Sequence, residues 1–246
     1  MKPTNFVWLT AKTLITYWLW AIIIPPTIFC MLLIALLPAH KRYKNKLFFA
    51  LSSLICRILT KTLFIPMKIS GTMPDTKKEQ FVIVMNHSSN LDAFFIDGLM
   101  HKTPRLWMAK DFVAHIPIVG FIFKRMHILV NRDRGSGAAR ALIRAIKLAK
   151  KFSSNLMLFP EGTRSYEEKL LEFNHGFVRA ARTLGRKILP IAIKGANKIF
   201  VKDSLLINSN ACKIELVIGN PMTSHFYESE GDFALRIKNW FASPDI

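Results

Sequence analysis

Short runs of consecutive apolar residues most constrain what this chain can fold into. After Pro66 seven such runs alternate with longer stretches of helical character, and most are apolar at successive positions rather than at every second one. A strand that is apolar on both sides must be covered on both faces, as in a parallel sheet between helices. The runs therefore predict an α/β fold with a mixed, mostly parallel sheet flanked by helices.

The predicted strands cover residues 67–70, 81–85, 105–109, 128–131, 156–159, 188–193 and 214–218. The predicted helices between and after them cover about residues 91–100, 137–152, 176–183 and 231–241. No internal repeat, low-complexity segment or long linker interrupts this region. We therefore predict a single α/β domain over residues 66–246.

The first part of the chain is almost wholly apolar. Residues 6–38 carry one charge, on Lys12, and a helix over them is long enough to cross a bilayer. Pro25 and Pro26 interrupt the run, because proline donates no backbone hydrogen bond and disfavours helical geometry at the preceding residue. Two arrangements remain open: one kinked span over about residues 14–37, or a two-helix hairpin embedded in one leaflet.

A second apolar stretch, residues 47–65, predicts a helix that lies on the membrane or packs under this anchor. Residues 1–65 together form the predicted anchor region. The positive charges between the two stretches outweigh those before them, which by the positive-inside rule places the α/β domain on the cytoplasmic face of the inner membrane. These charges are Lys41, Arg42, Lys44 and Lys46.

Lysine and arginine outnumber aspartate and glutamate by 35 to 16, which gives a net charge of +19. This excess implies anionic partners, such as acidic lipid or phosphorylated substrates. No zinc-finger spacing or RNA-binding peptide accompanies it, so we expect no nucleic acid. One predicted helix has a basic stripe, which is either a solvated face or a docking strip for acidic lipid or an acidic carrier protein. It consists of Arg140, Arg144, Lys147 and Lys151.

The cysteines do not form a metal-binding or disulfide pattern. Cys30, Cys56 and Cys212 are isolated, which is typical of reduced cysteines in a chain that faces the cytosol. The sequence has no H-E-x-x-H peptide, no paired Cys/His spacing and no glycine-rich nucleotide loop. We therefore expect neither a metal nor a cofactor.

The peptide NHSSNLD, residues 86–92, follows directly on the predicted strand 81–85. His87 then lies at the C-terminal end of a strand, where rigid sheets often display catalytic groups. The serines and asparagine after it favour a turn that brings Asp92, in the next helix, back to the imidazole. Such a pair is a general base for a hydroxyl group. The alternative is a histidine that satisfies the turn backbone beside a helix-capping aspartate.

A second peptide, FPEGTRS, follows another predicted strand and spans residues 159–165. Gly162 permits close approach of a ligand to the backbone, Thr163 offers a hydroxyl, and Arg164 can hold a phosphate through two parallel hydrogen bonds. Glu161 can orient that arginine or bind a substrate hydroxyl. Taken alone the peptide can also be a salt-bridged loop. Together the two peptides predict an enzyme that deprotonates an alcohol on a molecule whose phosphate it also holds.

In this order and at this separation the two peptides resemble those of the glycerolipid acyltransferases, specifically the 1-acylglycerol-3-phosphate acyltransferases. That family has N-H-x-S-x-x-D and F-P-E-G-T-R-S. Looser resemblances lie in residues 108–136, with Lys110 and Arg132 at the family's basic positions, and in residues 173–181 and 188–195. The chain departs from the family before Gly176, where Asn174 and His175 stand and lysine is frequent. That departure bears on substrate choice.

The resemblance implies that His87, supported by Asp92, takes the proton from the free hydroxyl of a lysolipid. The resulting alkoxide attacks the thioester of acyl-CoA or acyl-carrier protein, and the product is phosphatidic acid. It also implies that the acceptor's phosphate and glycerol are bound by Lys110, Arg132, Glu161, Gly162, Thr163 and Arg164.

Two alternatives stay open at this point. One keeps the chemistry and changes the acceptor to a lyso-ornithine lipid, another lysophospholipid or glycerol-3-phosphate. The other, from a different class, is a non-catalytic basic protein that binds acidic membranes or nucleic acid through the stripe on residues 140–151.

Overall fold

The computed structural model describes residues 3–131, 136–165, 169–200, 205–208, 213–225 and 227–243. The helices are Pro3–Leu36 (α1), Ala39–Arg42 (α2), Lys46–Lys61 (α3), Asp92–Leu99 (α4), Val119–Met126 (α5), Gly137–Lys151 (α6), Gly176–Leu184 (α7) and Glu230–Phe241 (α8). The strands are Met67–Ser70 (β1), Val82–Met85 (β2), Arg105–Lys110 (β3), Ile128–Val130 (β4), Asn155–Leu158 (β5), Ile188–Lys194 (β6) and Ile214–Ile218 (β7).

The strands form one sheet in the order β1-β7-β6-β2-β5-β3-β4. All neighbours are parallel except β6 and β7, which are antiparallel. In the middle of the sheet β2 lies between β5 and β6, with Val82 opposite both Leu156 and Ile188. Every residue of β2 and β5 is buried, as two-sided apolar runs require. The predicted fold class and all seven strands are confirmed, with ends that differ by at most one residue.

The two faces of the sheet support separate cores, because side chains alternate along each strand. On one face Val82 and Val84 pack with residues of α6, α7 and α8. On the other face Ile83 and Met85 pack with residues of α4, while α3 lies against α4 from outside. The carboxyl end of β2 is therefore held from both sides, which makes it a rigid support for the residues that follow.

Helix α1 continues through Pro25 and Pro26, so the structure does not divide it into the two helices of a hairpin. The hydroxyl of Thr27 donates to the carbonyl of Ile23 at 2.8 Å, next to the carbonyls of Ala21 and Ile22, which lose their backbone donors to the prolines. Residues Val7–Leu36 are long and apolar enough to cross a membrane. Large apolar side chains of this helix are exposed and recur at helical spacing along one face: Val7, Trp8, Leu14, Ile15, Trp18, Ile22, Phe29, Leu33 and Leu36.

The opposite side of α1 contacts the rest of the protein from its first half to its C-terminal end. The hydroxyl of Thr13 accepts from the amide of Ile207 at 3.1 Å, and Arg125 donates to the carbonyl of Ala35 at 2.5 Å. At 1.5 Å per residue these two contacts are about 33 Å apart along the helix. The α/β region therefore lies alongside α1 rather than beyond its end. The predicted division of the chain after residue 65 stays a prediction.

Helix α5 and the short 3-10 helix Asp111–His115 before it were not among the predicted elements. The sequence of α5 is short and mostly apolar, so its period does not distinguish a helix from a strand. Between α1 and the turn before α5 lies an apolar groove of about 550 Å³. Its lining includes Pro25, Phe29 and Ile118.

Candidate active site

The predicted contact between His87 and Asp92 is present. His87 lies two residues beyond the end of β2, and Asp92 is the first residue of α4. The imidazole Nδ1 is 2.8 Å from Oδ2 of Asp92, whose side chain is completely buried, whereas a fifth of the His87 side chain is exposed. The turn between them brings the two side chains together, as a single helix over both residues would not.

The buried carboxylate of Asp92 is held from one side only. Its Oδ2 also accepts hydrogen bonds of 2.7 Å from the amides of Ser88 and Ser89. Its Oδ1 has no hydrogen-bond partner among the residues that the structure describes. Because an ionised carboxylate only accepts, Nδ1 of His87 carries the hydrogen of this contact. The other ring nitrogen, Nε2, therefore keeps its lone pair and can accept a proton.

Aromatic rings fix the plane of the imidazole. The ring of His87 stacks on Phe159, with centroids 4.0 Å apart and an interplanar angle of 14°. Phe159 in turn stacks on Trp107 with centroids 5.8 Å apart. The indole nitrogen of Trp107 donates to Oδ1 of Asp97 at 2.9 Å. The general-base candidate is thus one end of a stack whose other end is fixed inside the protein.

Glu161 contacts the backbone and not Arg164, so the first of its two predicted roles is absent, while binding of a substrate hydroxyl stays a prediction. One carboxylate oxygen accepts from the amide of His87 at 2.8 Å, and the other accepts from the amide of Leu171 at 3.1 Å. Burial raises the pKa of Glu161 above its ordinary value, and these two amide hydrogen bonds oppose that rise. In the structure Glu161 therefore joins the loop after β5 to the loop after β2, rather than orienting Arg164.

Asn86 is the first residue of the peptide NHSSNLD, and no role was predicted for it. Its side-chain amide donates to the carbonyl of Ile193 at 2.8 Å and accepts from the amide of the same residue at 2.7 Å. This pair continues the pairing of β2 with β6 by one residue. It holds His87 in place where the strand itself has ended.

The residues predicted to bind the acceptor lie at the ends of β5 and β3, on the opposite side of β2 from β6. Arg164 donates a hydrogen bond to the side-chain oxygen of Asn90, in the turn before α4. Gly162 has a φ of 72°, a conformation that favours glycine, and Thr163 is exposed. Lys110 is exposed at the end of β3. Arg132 lies outside the described residues.

His87 opens into a cleft of about 290 Å³ that the sequence analysis did not foresee. Its polar lining comes from loops after β2, β5 and β6, all at the carboxyl edge of the sheet. The lining includes His87, Ser88, Glu161, Ser165, Lys169, Lys194 and Asn197. No sequence motif connects the two lysines with the histidine, because they come from distant parts of the chain.

Asp97, the second aspartate of α4, has a structural environment instead. Its carboxylate forms a buried ion pair with Arg105, which is completely buried. Burial raises the pKa of Asp97, but the Arg105 guanidinium and hydrogen bonds from Arg105, Ser52 and Trp107 outweigh this effect. The net result is a pKa lowered to about 2. Burial also raises the pKa of the neighbouring Cys56 thiol.

Comparisons with known proteins identify the family and the fold. A protein-family model described as "Acyltransferase" matches residues 66–194. Two relatives named 1-acyl-sn-glycerol-3-phosphate acyltransferase are 30% identical, one from Limnanthes douglasii over 58% of this chain and 50% of the relative, the other from Borreliella burgdorferi over 57% and 56%. A third of that name, from Helicobacter pylori, is 33% identical over 48% of this chain and 50% of its own length.

The chain spans about half the length of the curated relatives it matches. Among solved structures, the crystal structure of the 1-acyl-sn-glycerophosphate acyltransferase PlsC from Thermotoga maritima superposes with a TM-score of 0.74. The likeness covers 98% of this chain and 95% of that one at 23% identity, and it shows the fold. The resemblance drawn from the two motifs is confirmed by these matches.

Proposed function

Because the chain belongs to the acyltransferase family, we propose that it transfers an acyl chain to the free hydroxyl of 1-acylglycerol-3-phosphate and forms phosphatidic acid. The observation that carries this proposal is the His87–Asp92 pair, 2.8 Å apart, at the carboxyl end of the central strand. Several relatives named for this reaction support the choice of acceptor. The basic residues around the pair suit a phosphorylated substrate.

The reaction proceeds by general-base catalysis. Nε2 of His87 takes the proton from the acceptor hydroxyl as its oxygen attacks the thioester carbonyl of the acyl donor. The C–S bond then breaks, and the imidazolium returns the proton to the departing thiolate, so that an ester and a free thiol result. The buried carboxylate of Asp92 stabilises the imidazolium during this step. No covalent enzyme intermediate, metal or further cofactor takes part.

The acceptor's phosphate binds on the side of His87 that carries Arg164. The hydrogen bond from Arg164 to Asn90 ties the guanidinium to the same turn that brings Asp92 to the imidazole. Lys110, at the exposed end of β3, adds positive charge to this side, and the resemblance to the family makes Arg132 a further ligand of the phosphate. Gly162 and Thr163 place the glycerol, while Glu161 acts by holding the backbone of His87.

The protein is bound to the inner membrane, with the α/β domain on its cytoplasmic face. The exposed apolar face of α1 runs along the helix, and the opposite face contacts the α/β region at Thr13 and at Ala35. A helix held in this way lies in the membrane surface with one face in lipid, since crossing the bilayer would carry the α/β region into hydrocarbon. The apolar groove beside Pro25 can then receive hydrocarbon directly from the membrane.

The test is to offer the purified protein in detergent a panel of lysolipids with acyl-CoA or acyl-carrier protein. Mass spectrometry should show that the amount of acylated 1-acylglycerol-3-phosphate increases with time. Acylation of a lyso-ornithine lipid, another lysophospholipid or glycerol-3-phosphate in its place would replace the proposed acceptor. Absence of transfer to every acceptor would overturn the catalytic assignment.

The role of Arg164 can be tested with the same assay. Arg164→Ala should raise the acceptor KM about tenfold or more and leave the donor KM near the wild-type value, because it removes a charged bond to the acceptor alone. Arg179→Ala is a matched control, because Arg179 is an exposed residue of α7 that pairs with Glu230 of α8. Equal effects of Arg164→Ala on both KM values would contradict the assignment.

A further inference from the structure

The sheet places positive charge on both sides of the catalytic histidine. Beyond β5 and β3 lie Arg164 and Lys110, and on the other side of β2 its neighbour β6 ends at Lys194. Neighbouring strands are about 4.8 Å apart, so Lys194 begins one strand away from the strand that presents His87. The residues proposed to bind the acceptor leave this second side unassigned.

Lys194 and Lys169 line the same cleft as His87. Both residues are exposed, and neither forms an ion pair with a carboxylate among the described residues. The carboxylate of Glu161 also lines this cleft, but both of its oxygens accept from backbone amides, so a further anion between the two ammonium groups would reduce their repulsion. Asn197 adds a side-chain amide to the same lining.

The backbone around each lysine is fixed by a residue of the two motifs. Asn86 binds both polar backbone groups of Ile193, the residue before Lys194. Glu161 binds the amide of Leu171, two residues after Lys169, with the carboxylate that also holds the amide of His87. The motifs therefore place two lysine-bearing segments at set positions relative to the imidazole.

The turn after Lys194 is equally constrained. Gly195 has a φ of 80°, and a Cβ at this position would lie 2.1 Å from the carbonyl oxygen of Lys213. Any other residue would therefore force the chain away from β7. This close packing keeps Lys194 at the mouth of the cleft.

We propose that Lys169 and Lys194 form a second anion site, which binds the phosphate of the acyl donor. The proposal rests on the proposed function, in which the base must lie between an acceptor hydroxyl and a donor thioester. Acyl-CoA and acyl-carrier protein both carry the thioester on a pantetheine arm that ends in a phosphate ester. Lys169 and Lys194 line the cleft at His87, whereas Arg164 is not among its lining residues, so the donor's phosphate enters this cleft while the acceptor's phosphate is bound at Arg164.

The experiment compares palmitoyl-CoA with palmitoyl-pantetheine, which has the same thioester and arm but no phosphate. With saturating 1-acylglycerol-3-phosphate, the double variant K169A/K194A should raise the KM for palmitoyl-CoA by about tenfold or more. It should leave kcat/KM for palmitoyl-pantetheine and the acceptor KM within about twofold of wild type. Palmitoyl-carrier protein provides the second donor arm and should respond as palmitoyl-CoA does, if both phosphates use this site.

The control is K77A/K78A, which also removes two lysine charges, but from the loop before β2, at the opposite edge of the sheet. It should leave all three donors unaffected. An equal loss on palmitoyl-CoA and palmitoyl-pantetheine, or a rise in the acceptor KM alone, would overturn the donor site. A response limited to palmitoyl-CoA would assign the lysines to the nucleotide part of CoA and also refute the shared phosphate site.

A direct binding measurement separates this proposal from the proposed function. Wild-type protein should bind CoA in a calorimetric titration, and K169A/K194A should bind it about tenfold more weakly. If wild-type protein binds CoA with this lysine dependence yet acylates no lysolipid, the donor site stands and the acceptor assignment fails. If it acylates the lysolipid with no lysine dependence, the reverse holds.

Discussion

Asp92 and Asp97 lie on the same helix, five residues apart, and both are buried, yet they have different kinds of partners. Asp97 is paired with a guanidinium and also accepts from Ser52 and Trp107. Asp92 is paired with a histidine that is partly exposed, and one of its oxygens has no partner among the described residues.

The difference shows how one helix serves two purposes. A carboxylate surrounded by permanent donors cannot change its role and contributes to the fold alone. A carboxylate whose ionic partner is an imidazole can support a proton transfer, because imidazole gains and loses charge near neutral pH. The Trp107–Phe159 stack connects the two environments, since it begins at Asp97 and ends on His87.

The largest expected effect is on the catalytic side of this comparison. His87→Ala should lower kcat by about 10²- to 10⁴-fold, because the base is removed, and should leave the melting temperature nearly unchanged. Steady-state kinetics and a thermal melt check both statements. His101→Ala, at an exposed histidine, is the control and should keep full activity. Turnover near wild type in His87→Ala would remove the base assignment.

On the structural side, Asp97→Asn should lower the free energy of unfolding by about 3–5 kcal/mol, because it leaves the buried Arg105 charge without a counterion. Folded protein should retain most of its kcat. Denaturant unfolding, followed by circular dichroism, measures the loss. The double variant D97N/R105M removes both charges and should recover part of the stability. A double variant that is less stable than the single one would show that the unpaired charge is not the cause.

A third test uses the acid sensitivity of the buried network. Burial lowers the pKa of His127 to about 4, and its neutral ring accepts from the amide of Trp107 at 3.3 Å. The unfolded chain binds this proton near pH 6.5. Protonation of His127 in the unfolded chain therefore has no effect on the free energy of unfolding above pH 6.5. It lowers this free energy by roughly 3 kcal/mol as the pH falls toward 4.

Melting temperatures measured between pH 7.5 and 4.5 should show this loss, and His127→Gln should flatten the profile by removing the titration. The same slope in both proteins would assign the acid sensitivity to other groups.

The smallest expected effect concerns the stack that joins the two environments. Phe159→Leu should lower kcat about threefold to tenfold, because an aromatic pair contributes about 0.5–1.5 kcal/mol beyond its buried area. Both KM values should stay near wild type, and Phe159→Tyr should restore the rate since it keeps the ring. Initial rates over a matrix of both substrates check this. A Leu variant with wild-type kcat would mean that Asp92 alone fixes the imidazole.

Local patterns predicted much of this molecule because they reflect local physics. The apolar runs identified all seven strands, and the turn residues after His87 predicted its contact with Asp92. The site was harder to predict in full. The partners of Glu161 and Asn86 are backbone amides and carbonyls of distant segments, and any residue type can supply these groups.

The course of α1 through its two prolines was also beyond local rules. Proline removes a backbone donor, but the helix is held by contacts with the α/β region on both sides of the prolines, at Thr13 and at Ala35, and local propensity does not include these contacts.

The sequence by itself determined the layered α/β fold, the apolar N-terminal helix and the pairing of a histidine with the aspartate five residues on. These follow from hydrophobic period and turn chemistry, which act over a few residues. Only the tertiary structure decided which aspartate of α4 is structural, what Glu161 holds, and that Lys169 and Lys194 share a cleft with His87. These depend on the order of strands in the sheet, which brings together groups that are about 25 to 107 residues apart in the chain.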